Sequence, residues 1–131
     1  MAIRLAAESK DIDLPIDGLV VESTFTSLAE MAKRTGIPLA DRLVAYDFDS
    51  LTQMGSVTAP VLVVHGAADE LIPIAMGERL RDAATAQWLA IPDGMHNDTW
   101  VIGGAKYWKK LAEFLSQTAA KSEKREGPPL P

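Results

Sequence analysis

Three continuous apolar runs, separated by stretches of helical periodicity, organise this sequence. Leu19-Val20-Val21, Val61-Leu62-Val63-Val64 and Trp88-Leu89-Ala90-Ile91 do not alternate with polar positions. That is the pattern of strands covered on both faces of a parallel sheet. Between and around them apolar residues recur at helical spacing. Met76, Leu80, Ala83 and Ala84 define one face over Ile74–Ala84, and Tyr107, Trp108, Leu111, Ala112 and Leu115 define another over Ala105–Ala119. Thr26 or Ser27, with Glu30 following, predicts a capped helix over Ser27–Arg34 that Gly36 and Pro38 stop. Residues 1–10 are strong helix formers with no cap before them. Residues 39–54, including Leu43, Val44 and Tyr46, read as short helical pieces that cover the sheet without joining it. The order helix, strand, helices, strand, helix, strand, helix predicts an α/β fold in three layers.

Composition narrows the class. The 131 residues suffice for one domain, and 47% apolar with 24% charged is a soluble globular balance. A formal charge of −5 argues against a nucleic-acid partner and against a polybasic membrane anchor. No apolar run nears the roughly 18–20 residues of a membrane span, and Arg4, Glu8 and Lys10 interrupt any leader-like opening. With no cysteine, thiol catalysis and thiolate metal sites are excluded. No cofactor or metal is expected: no glycine-rich phosphate loop follows a strand, and the His and acidic residues lack ligand spacing on any one element. Residues 119–131, ending Pro128-Pro129-Leu130-Pro131, have nothing to bury and are expected to be a disordered tail after a domain over 1–118.

In open parallel sheets, chemistry collects beyond the carboxyl ends of the strands. Two loops there carry complementary groups. His65-Gly66-Ala67-Ala68-Asp69 presents a carboxylate, with Leu71-Ile72-Pro73 placed to wall it off from water. Pro92-Asp93-Gly94-Met95-His96 presents an imidazole. An Asp that orients a His able to take and return a proton is two thirds of a catalytic triad. Each residue alone also fits an ordinary loop role, since Asp favours turns and helix caps; the joint placement after consecutive strands raises the pair. His65, the rival imidazole, reads as a structural residue at a strand end, with lining the site as the lesser alternative. Asn97-Asp98-Thr99 matches a glycosylation pattern without a secretory signal to support it. No serine lies in a Gly-x-Ser-x-Gly turn, although Ser23 and Ser27 follow a strand.

These segments resemble the α/β-hydrolase superfamily, whose triad runs Ser, Asp, His in chain order. Val63-Val64-His65-Gly66-Ala67-Ala68-Asp69-Glu70-Leu71-Ile72-Pro73 is similar to its acid-bearing segment, and Pro92 to Trp100 is similar to its histidine loop. Together with Val21-Glu22-Ser23-Thr24-Phe25-Thr26-Ser27, they resemble the bud-emergence-type serine hydrolases, the α/β-hydrolase domain-containing proteins. The resemblance implies a three-layer α/β-hydrolase fold truncated to its last parallel strands with covering helices, the carboxyl-terminal half. It implies Asp69 and His96 as catalytic residues, and a nucleophilic Ser shortly before Met1. Small acyl-ester or lipid-like substrates are the implied partners, and related proteins are often membrane-anchored although this sequence has no such segment. Leu19-Val20-Val21, without its usual neighbour, becomes an exposed strand edge open to self-association. The alternative is a half-fold that serves as a non-catalytic interaction module, or a truncated gene product without activity.

Overall fold

A computed structural model describes residues 1–39, 42 and 48–126; of residues 125 and 126 only the backbone is described. The elements are α1 (Ala2–Glu8), β1 (Leu19–Glu22), α2 (Leu28–Arg34), α3 (Ser50–Gly55), β2 (Val61–Gly66), α4 (Ile74–Ala84), β3 (Gln87–Ile91) and α5 (Thr99–Glu126). The expected helical pieces at Leu43, Val44 and Tyr46 and the end of the tail, 127–131, lie outside the described residues.

The strands form one parallel sheet in the order β1-β2-β3. Every residue of β2 is buried, because its alternate side chains feed two separate cores. Val61 and Val63 join Leu19 and Val21 of β1 and pack with Ile3, Met54 and Leu80 from α1, α3 and α4. Leu62 and Val64 point the other way and pack with Leu89, Ile91, Tyr107 and Phe114. The result is helix, sheet, helix: the three layers expected of uniformly apolar parallel strands. Each aliphatic side chain so buried contributes about 1.5–3 kcal/mol by leaving water.

Local sequence explains the element ends. The Ser27 hydroxyl accepts the Glu30 amide at 3.1 Å and starts α2, while Thr26 donates to the Glu30 carboxylate at 2.5 Å. Those bonds, with Thr26 the largest influence, hold Glu30 below the usual carboxylate range. α2 buries none of its residues. Arg79 of α4 reaches it with two contacts to Glu30, at 2.7 and 2.9 Å, an exposed pair that contributes little on its own. Asp49 caps α3 by accepting the Thr52 amide at 2.9 Å.

Two boundaries and one buried face differ from the sequence reading. β2 does not stop at Val64 but continues through His65 and Gly66, because these pair with Ala90 and Ile91 of β3. The buried stripe of α5 is Tyr107, Phe114 and Thr118 with Leu111 half-buried, whereas Trp108 and Leu115 are about half exposed. Both sets have helical spacing, and only the angle at which α5 lies on β2 and β3 selects between them. α5 also runs past residue 118 to Glu126, where a structureless tail is the expectation from composition. Ala119, Ala120, Lys121, Glu123 and Lys124 are good helix formers, so a helix already nucleated and packed upstream continues through them without burying anything.

Candidate active site

The loops after β2 and β3 are stitched together by their backbones. Ala67 N–H donates to the Ile91 carbonyl at 2.8 Å, Ala68 N–H to Gly94 at 2.9 Å, and Gly94 N–H to Ile91 at 3.0 Å. Gly66 and Gly94 make this approach possible: a Cβ on Gly66 would stand 2.6 Å from the Gly94 carbonyl carbon. The close contact fixes the acid loop relative to the histidine loop.

Asp69 and His96 meet across that seam. The Asp69 side chain is fully enclosed, and its two oxygens have separate duties. Oδ1 accepts the amides of Leu71 at 3.0 Å and Ile72 at 2.8 Å. Oδ2 lies 3.0 Å from His96 Nδ1. An ionised carboxylate only accepts, so Nδ1 carries the proton and the lone pair of the imidazole is left on Nε2. The His96 side chain is 28% exposed, so the ring is partly open to solvent while its orienting partner is sealed away. The two residues singled out from the sequence are therefore brought together. The expected wall is half right: Ile72 is buried over Asp69, whereas Leu71 is 57% exposed and contributes through its amide.

A cavity of about 320 Å³ opens beside His96, lined by Glu22, Ser23, Asn97 and Trp100 as well. Glu22 lies in a segment the sequence singles out, but nothing in the sequence assigns its side chain a partner. Its carboxylate accepts from Thr99 Oγ1 and, at 3.0 Å, from the Tyr107 hydroxyl, tying the end of β1 to α5 behind the histidine loop. Burial, reinforced by that carboxylate, pushes the Tyr107 phenol up to about 12. Ser23 sits at φ 44°, a left-handed conformation uncommon for a residue with a side chain, and its amide donates to Val64 at 3.1 Å. Its Oγ is enclosed and has no hydrogen-bond partner among the described residues, so it is not presented as an exposed nucleophile. Ser27 is occupied as the cap of α2. Asp98 holds the histidine loop by accepting the Met95 amide at 2.6 Å. His65, read from sequence as a strand-end residue, is fully buried inside β2 and close to Asp69.

A larger cavity, about 1090 Å³, lies at the opposite ends of the strands between Lys10, Pro15, Pro60 and Lys121. No histidine is among its lining residues, so its size does not make it the catalytic candidate. Among the described residues no three His, Asp or Glu side chains gather to hold a metal, and no helix is long and apolar enough to cross a membrane.

No family model matches the chain. An uncharacterised protein of Mycobacterium tuberculosis strain H37Rv is 35% identical over 112 residues, covering 82% of this chain and 40% of that protein. The α/β hydrolase domain-containing protein WAV2 of Arabidopsis thaliana is 28% identical over 130 residues, covering 85% of this chain and 42% of WAV2. The chain thus spans about two fifths of the length of these relatives. Among solved structures, the Pyrococcus furiosus esterase Pf2001 superposes with a TM-score of 0.67 at 19% identity, over 88% of this chain and 48% of the esterase.

Proposed function

The chain belongs to the α/β-hydrolase superfamily, and from that premise we propose that it supplies the acid and base of a serine hydrolase acting on ester, thioester or related acyl bonds. The observation that carries the proposal is the 3.0 Å contact between His96 Nδ1 and the sealed Asp69 Oδ2. In this reading His96 is the general base. Its free Nε2 takes the proton of a nucleophilic hydroxyl as the acyl carbon is attacked, then returns it to the leaving group. Asp69 fixes the tautomer and stabilises the imidazolium formed in between. The working unit is residues 1–118, and the nucleophile comes from outside this sequence. Support for that last point is the state of the available serines, with Ser23 Oγ enclosed and Ser27 engaged as a cap. Half-exposed Met95 and Trp100 beside His96 fit the acyl or lipid-like portion of a small ester.

A second reading is a non-catalytic interaction module. The feature favouring it is β1, which among the described residues pairs on one side only and leaves Leu19, Val20 and Val21 as a strand edge for another chain or a second copy.

Labelling with a fluorophosphonate probe separates these readings. This sequence alone should not label. A longer form containing a Gly-x-Ser-x-Gly turn should label and turn over acyl esters, and Asp69→Asn should lower its turnover by roughly 10⁴-fold, the size of effect known for a triad Asp in serine proteases. Labelling of this chain at Ser23 or Ser27, lost in His96→Ala, would overturn the assignment of the nucleophile. Failure of the longer form to label at all would favour the interaction module.

A further inference from the structure

His65 takes no part in the proposed proton transfer, yet it is fully buried beside the acid. Its Nε2 lies 2.8 Å from the Ile72 carbonyl and 3.6 Å from Asp69 Oδ2. A carbonyl accepts only, so Nε2 must be the protonated nitrogen and the donor. Nδ1 is buried without a partner among the described residues and faces α4, where Gly77 comes so close that a Cβ there would lie 2.5 Å from Nδ1. Only the tautomer with a bare Nδ1 leaves no orphaned N–H in that contact.

These contacts form a closed circuit. His65 Nε2–H holds the Ile72 carbonyl, Ile72 N–H holds Asp69 Oδ1 at 2.8 Å, and the polar edge of the His65 ring stands over Oδ2. The carboxylate is therefore pinned by Oδ1 and turned so that Oδ2 faces His96.

We propose that His65 is a positioning residue that clamps the 69–72 turn shut and thereby aims the Asp69 carboxylate at His96, with Gly77 providing the space its ring needs. This rests on the proposed pairing of Asp69 with His96 and adds a group that acts on His96 only through Asp69.

Histidine tautomers read by long-range ¹H–¹⁵N correlation at alkaline pH test it on this chain without substrate. In the unaltered protein His65 should be protonated at Nε2 and His96 at Nδ1. His65→Leu, which removes the donor, should lower the Nδ1–H to Nε2–H ratio of His96 by about threefold or more, within the range expected for loss of an ordinary intramolecular hydrogen bond. His65→Gln, which restores an N–H donor, should keep most of the ratio. Gly77→Ala should also lower it, although alanine favours the helix, because the methyl displaces the ring; circular dichroism reports that the fold is kept. If His65→Leu does not fold, the Gly77→Ala result and the His65 tautomer decide. A His65 protonated at Nδ1 overturns the clamp, as does a His96 ratio unchanged in both folded variants. Absence of Nδ1–H on His96 in the unaltered protein would instead remove the Asp69 pairing itself, and the clamp with it.

Discussion

At the scale of single residues, the polar groups around the site divide by what each neighbour supplies. Asp69 takes two amides on one oxygen and an imidazole on the other, so each of its buried oxygens has a hydrogen-bond partner. Glu22 does the same work behind the loop by taking the hydroxyls of Thr99 and Tyr107. Tyr107 then has a measurable signature. Its phenol is pushed up to about 12 in the fold, against an ordinary value of about 10 for an unfolded tyrosine. The folded state therefore favours the neutral phenol. That stability is fully present below pH about 10 and is lost as pH rises toward about 12. Spectrophotometric titration of a Tyr46→Phe variant, which leaves Tyr107 as the lone phenol, should show ionisation displaced upward and coincident with loss of structure. An ordinary midpoint with the fold intact would mean the phenol is neither buried nor held by Glu22 as described. Asp69 and His96 were legible because their residue types at strand ends carry chemistry. Glu22 and His65 were legible as strand-end residues but their partners were not, because nothing local tells which distant group a buried carboxylate or imidazole will meet.

At the scale of elements, α5 is two helical segments joined at Gly104, whose φ of 48° and ψ of −133° are not helical. The bend lets the first segment carry Thr99 to Glu22 while the second lays Tyr107 and Phe114 on the sheet. A Cβ at Gly104 would meet nothing within 4 Å, so the obstacle to substitution is conformational and not steric crowding. Gly104→Ala should cost about 1–3 kcal/mol in chemical denaturation. Its His96 tautomer should stay as in the unaltered protein, because Asp98 and the Ala68–Gly94 contact hold that loop independently. A variant as stable as the original would show that the bend is not required. The sequence marked the boundary, since Gly103-Gly104 precedes the predicted helix over Ala105–Ala119. Its direction of bend and the rotation that exposes Trp108 are set by packing on β2 and β3.

At the scale of the molecule, the sheet has two different edges. Leu19 and Val21 are buried against α1 and the helices beside it, so the exposed feature of β1 is its backbone rather than an apolar face. An unpaired strand backbone is a template for another strand. Thermal melting of this chain should therefore depend on concentration, with sedimentation showing self-association as concentration rises. A monomer with sharp two-state melting independent of concentration would count against association through this edge.

The sequence by itself determined the class of fold and the two ends of the proposed proton path. Uniform apolar runs can be satisfied only by a sheet covered on both faces, and strand order places Asp69 and His96 at the same ends. Only the tertiary structure decided how that pair is held: the Gly66–Gly94 seam, the Glu22 anchor on α5, and the His65 ring beneath the acid turn. Periodicity encodes which face is buried, but not which distant backbone or side chain a buried polar group will meet. Those partners are fixed by the packing of elements far apart in the chain.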